Sequence, residues 1–163
     1  MGMSAPTCAV PPLPSLIAVV ALFLVLGYLT CHISGWTRLA ERFRATEPFS
    51  GKSWAFQSAR FREWFNFNGC LTVGASSECL YLAISPLIRI LTPCAAPLLI
   101  PWREIEVQTG KAFFGWYDTA LFRLGSQERV GVRIYGKLVN RLRQAAGPSW
   151  PLYHQEQMDA QTR

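Results

Sequence analysis

The feature that most constrains this chain is an uncharged apolar run from Leu13 to Thr30. As a helix, its roughly 18 residues would reach about 27 Å, close to the ~30 Å hydrocarbon core of a bilayer. Pro11, Pro12 and Pro14 prevent the helix from beginning earlier. Half of all residues are apolar and only 16% are charged, and this run holds part of that apolar excess. We therefore predict one transmembrane helix over residues 13–31, after a short tail of residues 1–12.

A cleaved signal peptide is the alternative to an uncleaved helix. The chain has no Lys or Arg before Arg38, and no Ala-x-Ala pattern lies near Cys31. Both observations favour an uncleaved helix. Tyr28, His32 and Trp36 follow at positions where an amphipathic side chain would lie at the level of the lipid headgroups.

Three arginines follow the apolar run, Arg38, Arg42 and Arg44, whereas the N-terminal side carries no basic side chain. By the positive-inside rule, this asymmetry predicts a cytoplasmic C-terminal part. Residues 32–53 are predicted to form a basic juxtamembrane stem. Its arginines would either contact anionic headgroups, at about 1 kcal/mol each, or form a solvated flank that only sets the topology.

The five cysteines form no C-x-x-C pair and no regular spacing. The pattern therefore indicates neither a disulfide framework nor a metal site, and it is typical of free thiols in a reducing compartment. Cys70 and Cys79 flank a predicted turn, so a bridge across a hairpin would become available if the domain were exported.

From about Trp54 the chain changes to short alternating runs with turn residues between them. The stretch LTVGASSECLYLAI predicts a hairpin with its turn at Ser76-Ser77, and Asn68-Gly69 predicts an earlier break. Pro101 predicts a bend between two strands, because proline cannot occupy a central position in a sheet.

Two further strands are predicted, in Trp116–Gly125 and Arg129–Gly136. In the second, Val130, Val132 and Ile134 alternate with Gly131, Arg133 and Tyr135, which predicts one buried and one solvated face. Six or seven strands in about 80 residues, without a long helix between them, indicate an antiparallel sheet curled on itself.

The segment GKLVNRLRQAAGP predicts a C-terminal amphipathic helix that stops at Gly147-Pro148. Its apolar residues lie on one side and need a surface to pack against, which the open end of the curled sheet would provide. These residues are Leu138, Val139, Leu142, Ala145 and Ala146. Residues 148–163 are predicted to be a flexible tail.

This order of elements resembles the pleckstrin-homology-like superfold, in particular its bacterial and GRAM-type variants. The runs ECLYLAI, PLLIPWREIEVQ, LFRLG and VGVRIYGKLVNRL are similar to the rhythm of that family over about Phe56 to Ala146. With the N-terminal helix, the chain resembles small single-pass proteins of the bacterial inner membrane that carry such a domain.

The resemblance implies an α+β fold that is mainly β. A curled barrel of about seven strands would be capped by the C-terminal helix, over residues 54–147. The superfold hosts lipid, peptide and protein binding, so it does not by itself define an activity. The expected connection between the first two strands, Trp64 to Gly69, has no Lys or Arg, so we carry over no phosphoinositide site.

Catalysis has little support in the sequence. The two histidines, His32 and His154, lie outside the predicted domain, which removes Ser-His-Asp and Cys-His arrangements from it. Glu104 and Glu106 are two residues apart and are expected to be solvated. Phosphate-binding glycine motifs are absent, so we predict neither an enzyme nor a cofactor. The net charge of +6 is spread along the chain without a recognition motif, and we predict no nucleic-acid binding.

Most aromatic residues of the predicted domain, Trp54, Trp64 and Trp102 among them, are expected to fill its core. The exception is FFGWY, with Phe113, Phe114, Trp116 and Tyr117. These four side chains cannot all point inward from an extended chain, so they form either an exposed contact patch or a loop folded over the barrel mouth.

The sequence therefore predicts a membrane-anchored binding or scaffolding module. The bilayer would be contacted through Leu13 to Thr30, a protein partner through the FFGWY residues, and anionic lipid weakly through the arginines. The alternatives are a periplasm-facing envelope protein with the same fold and an enzyme.

Overall fold

The computed structural model describes residues 13–151, apart from residues 91, 93, 113–116 and 128. Within this part of the chain the fold is α+β and mainly β, as predicted. The helices are α1 (Leu13–Ser34), α2 (Trp36–Phe43), α3 (Pro86–Arg89) and α4 (Lys137–Ala146). The strands are β1 (Lys52–Phe61), β2 (Phe65–Ala75), β3 (Cys79–Ile84), β4 (Leu98–Pro101), β5 (Ile105–Ala112), β6 (Tyr117–Leu124) and β7 (Val130–Tyr135).

Helix α1 follows from the uncharged apolar run and continues to Ser34, beyond the predicted end. It is long and apolar enough to cross a membrane. Its side chains are exposed from Ser15 to Leu26, and burial begins at Gly27. Gly35 then adopts a left-handed conformation with φ of 81°, which ends α1 and turns the chain into α2.

The seven strands form one antiparallel sheet in the order β4-β3-β2-β1-β7-β6-β5, a curled half-barrel. Strand β1 pairs with β2 from end to end but with β7 only at its last three residues, so the sheet folds over along β1. The bend predicted at Pro101 is confirmed, because β4 ends there and a 3-10 helix, Trp102–Glu104, leads into β5.

The predicted break at Asn68-Gly69 is wrong. Strand β2 runs through both residues, and the turn between β1 and β2 is formed by residues 62–64. Gly69 has a φ of +65°, and the register of the two strands shifts beside it. Asn68 and Gly69 form a bulge, because β2 keeps cross-strand partners in β1 on both sides of them. At this bulge the Gly69 N–H donates to Ser58 Oγ at 2.9 Å. The true connection contains Arg62, so the expectation of a connection without a basic residue is also corrected.

The hairpin of β2 and β3 is confirmed, with pairs from Leu71↔Ile84 to Ala75↔Leu80. Its turn is held by Ser76 Oγ, which accepts the N–H groups of Glu78 and Cys79, each at 3.2 Å.

The Cys70–Cys79 bridge is excluded by this register. Cys79 lies at the turn, whereas the Cys70 carbonyl accepts the Ser85 N–H at the other end of the hairpin. About six residues of strand, roughly 20 Å, separate these two ends, and a disulfide needs Cα atoms about 4.4–6.8 Å apart. Burial raises the pKa of the Cys70 thiol, which disfavours its thiolate form.

Two helices cover the concave side of the sheet. As predicted, α4 buries its apolar stripe there, with Leu138, Val139 and Leu142 in the core. Helix α2 buries Trp36, Leu39 and Phe43 in the same core. The residues that we expected to form a stem therefore contribute to the domain, and its core begins well before residue 54.

The predicted flexible tail is also corrected at its start. A 3-10 helix, Gly147–Ser149, follows α4, and Trp150 is buried in the core, with its ring 5.7 Å from those of Trp102 and Phe122.

Candidate functional site

The candidate site lies at the junction where the end of the exposed apolar helix α1 packs against the β-domain. Gly27, Cys31 and Ser34 are buried and lie on one face of α1, because they are four and three residues apart. Their small size lets the domain approach closely, and Cys94 Sγ donates to the Gly27 carbonyl oxygen at 3.9 Å. The last two turns of α1 are therefore packed against the domain rather than joined to it by a linker.

The turn between β1 and β2 also contacts the end of α1. Arg62 Nη1 donates to the Ile33 carbonyl oxygen at 3.5 Å, one of the carbonyls that a helix end leaves without an intrahelical partner. The Arg62 N–H donates to the Gly131 carbonyl oxygen at 2.8 Å, so the same residue connects α1 with β7. A cation at this position also complements the negative end of the helix dipole.

Trp36 fixes the start of α2. It has no exposed surface, and its Nε1 donates to the Ala96 carbonyl oxygen at 2.9 Å. Its ring lies 5.6 Å from that of Phe61 and 6.2 Å from that of Phe67. The expectation that Trp36 lies at the lipid headgroups is wrong, because a neighbouring carbonyl satisfies its indole N–H within the core.

The three arginines predicted to face the membrane have different environments. Arg38 and Arg44 are exposed, and Arg44 forms a backbone bridge with Leu98. Arg42 is engaged by the domain, since its Nη2 lies 3.2 Å from Glu104 Oε1. The guanidinium of Arg42 also stands 5.2 Å from the centre of the Phe43 ring.

Glu104 connects three elements, and its surroundings favour the charged form. The side chain and the N–H of Ser126 lower the pKa of Glu104, with smaller contributions from Arg42 and Arg103. The Glu104 carbonyl oxygen accepts the Gly125 N–H at 2.9 Å. Glu104 therefore ties α2 and the start of β5 to the turn after β6.

Glu104 and Glu106 line one cleft of about 60 Å³. Each carboxylate has its own arginine, Arg42 for Glu104 and Arg123 for Glu106, the latter at 3.9 Å. These ion pairs fit a structural role for both glutamates.

Two larger clefts lie elsewhere in the domain. An open groove of about 630 Å³ runs beside Trp102, and its rim includes Ser149 and Pro151, the end of the described chain. A polar cleft of about 160 Å³ separates Asp118 from Asn140 and Arg143 on α4. Within the described ranges, His, Cys, Asp and Glu side chains form no group of three that could hold a metal ion.

The predicted aromatic patch falls mostly outside the described residues. Phe113, Phe114 and Trp116 are not among them, and Tyr117 is described only by its backbone, which begins β6 opposite Ala112. These residues lie between β5 and β6 in the chain, and their contact role stays a prediction.

The sequence interpretation missed three exposed apolar side chains near the junction: Trp64, Ile88 and Ile90. Trp64 was expected in the core, yet 90% of it is exposed because it lies in the turn between β1 and β2. The sequence offered one signal for this exposure, a tryptophan that follows the charged pair Arg62-Glu63.

Comparisons with protein-family models, with curated proteins and with solved structures find no match for this chain.

Proposed function

We propose that this protein is a single-pass membrane protein whose β-domain is held at the bilayer surface as a binding or scaffolding module. One observation carries the proposal: α1 is exposed and apolar from Ser15 to Leu26, and the same helix enters the core through Cys31 and Ser34. Exposed apolar surface of this length is stable in lipid and costly in water.

The same continuity supports an uncleaved helix. Cleavage near the end of the span would remove Cys31 and expose the fully buried Trp36, which is one residue beyond the turn that ends α1. A signal peptide is removed from the mature protein, whereas this helix supplies part of the core.

The architecture supports a pleckstrin-homology-like domain. The curled antiparallel sheet of seven strands and the single C-terminal helix packed on its concave side are the features on which the sequence resemblance rests. The resemblance and the anchor together suggest a bacterial inner membrane as the location.

A cytoplasmic domain is the orientation that the charges support. Arg38 and Arg44 are exposed next to the helix, and Arg62 lies at its end. Fusions of the C-terminus to a reporter active only in the cytoplasm, and to one active only after export, test this. A signal from the exported reporter would instead favour the periplasm-facing alternative.

The module would act by recruiting a protein partner. The FFGWY residues and the edge strand β5 are the candidate contacts, since an unpaired strand edge can accept an added strand.

A photo-crosslinking residue at position 116 in living cells tests the aromatic contact, with position 56 as control because Phe56 is 75% exposed. Trp116→Ala with Tyr117→Ala should abolish the crosslink seen from a probe at position 114, while Phe56→Ala leaves it unchanged. A crosslinked partner that persists in the double variant would move the contact elsewhere.

A further inference from the structure

The length of α1 sets how close the domain stands to the bilayer. This step rests on the proposed function, in which α1 crosses the membrane. The part in which every side chain is exposed, Ser15 to Leu26, spans only about 18 Å at 1.5 Å per residue. A hydrocarbon core of about 30 Å therefore extends past Gly27, along the turns that are packed against the domain.

Two segments of the domain contact these turns and so lie at the depth of the bilayer boundary. One is the turn of residues 62–64, through Arg62 and the Ile33 carbonyl oxygen. The other contains α3 and continues to Cys94, which contacts Gly27. Within this second segment the Thr92 N–H donates to the Arg89 carbonyl oxygen, and the Ala95 N–H donates to the Thr92 carbonyl oxygen.

Both segments expose large apolar side chains. Trp64 is 90% exposed, Ile90 75% and Ile88 38%. Across the described ranges outside α1, the other large apolar side chains with this exposure are Phe56 and Tyr135.

Tyr135 and Phe56 lie away from the junction. A side chain at Gly35 would stand 3.1 Å from Val130, so β7 starts at the junction. Tyr135 lies at the far end of that strand, roughly 16 Å away. Phe56 is a similar distance along β1 from Phe61, which contacts Trp36.

The charges around these side chains suit lipid headgroups. Arg62 and Arg89 are exposed in the same two segments. The acidic residue of the turn, Glu63, is paired, with its Oε1 2.8 Å from Arg133 Nη2. Tryptophan and isoleucine with nearby arginines are typical of a protein surface at the membrane boundary, where the rings and chains enter lipid and the cations meet phosphate.

We propose that Trp64, Ile88 and Ile90 insert into the bilayer boundary beside α1 and form a second membrane contact. With three points of contact, the helix and the two segments, the domain keeps a fixed orientation on the membrane. The opposite end, with Tyr135, faces away from the lipid.

Quenching of tryptophan fluorescence by brominated acyl chains tests this in the full chain. The protein is reconstituted in liposomes of phosphatidylcholine and phosphatidylglycerol, with and without bromine on the chains. Trp64→Phe should remove part of the quenching that the unmodified protein shows. In that background Ile90→Trp should restore a quenched component, and Phe56→Trp should not, although both positions are 75% exposed.

Leu22→Trp, in the middle of the exposed part of α1, separates the two proposals. If Trp at position 22 is quenched while positions 64 and 90 behave like position 56, the helix is inserted and the second contact is disproved. If position 22 is not quenched either, the membrane anchor fails, and the second contact fails with it.

Discussion

Two tryptophans near the end of α1 have opposite environments and should respond differently to the same substitution. Trp36 is fully buried and bonded to the Ala96 carbonyl oxygen, whereas Trp64 is 90% exposed. Trp36→Phe removes that hydrogen bond and leaves a small cavity, so we expect a loss of about 1–3 kcal/mol in the free energy of unfolding. Trp64→Phe should change it by less than about 0.5 kcal/mol.

Denaturant unfolding in detergent micelles, followed by circular dichroism, measures both values. Equal losses for the two variants would contradict the burial of Trp36 in the domain core.

Glu104 predicts a dependence of stability on pH. Ser126, Arg42 and Arg103 hold the pKa of Glu104 below its ordinary value. The ionised carboxylate is therefore more stable in the folded state than in the unfolded state. This contribution is fully present above about pH 4.3, the usual pKa of a glutamate, and is lost as the pH falls through the lowered folded-state pKa.

Glu104→Gln should therefore lower the melting temperature at pH 7, and the difference from the unmodified protein should shrink in acid. Glu106→Gln is the matched control and should have a smaller effect, because Glu106 is half exposed and 3.9 Å from Arg123. A deficit for Glu104→Gln that stays constant from pH 7 to pH 3 would rule out this pH dependence.

Several side-chain environments were readable from the sequence and others were not. The alternation of Val130, Val132 and Ile134 predicted their burial correctly. The environments of Trp36 and Trp64 were interpreted in reverse, because each depends on contacts distant in sequence. Trp36 is buried by Ala96 and Phe61, and no local pattern reports those neighbours.

At the scale of secondary-structure elements, the connection between α1 and α2 should be sensitive to substitution. Gly35 has a φ of +81°, and a Cβ there would stand 3.1 Å from both Arg62 and Val130. Gly35→Ala combines backbone strain of about 1–2 kcal/mol with overpacking of about 1–3 kcal/mol.

Gly69→Ala is the matched control, since Gly69 also has a positive φ, +65°, but nothing lies within 4 Å of the added Cβ. We expect it to lose only about 1–2 kcal/mol. Chemical unfolding of the two variants side by side measures the difference, and a Gly35→Ala variant no less stable than Gly69→Ala would show that α1 and the domain are not packed as described.

The elements themselves were largely predictable, because each depends on a local pattern. The apolar run predicted α1, alternation predicted the strands, and the stripe from Leu138 to Ala146 predicted α4. Asn68-Gly69 misled the interpretation since its chemistry suits a tight turn and a bulge equally well. Helix α2 lies within the predicted stem, and its burial in the core could not be predicted because it depends on the strands that the helix covers.

For the whole molecule, the continuity of α1 with the domain core has a consequence for the mature protein. Cys31 and Trp36 lie in one core with residues of the sheet, so the helix and the domain should stay in one polypeptide.

Intact mass spectrometry of the protein recovered from alkali-washed membranes, after expression of the whole sequence with a C-terminal affinity tag, tests this continuity. We expect a membrane-retained species with the mass of the full 18.3 kDa chain plus the tag, less at most the initiator methionine. A shorter species that begins near residue 30, or recovery of the protein in the alkaline wash, would contradict the proposal that α1 is an uncleaved transmembrane anchor.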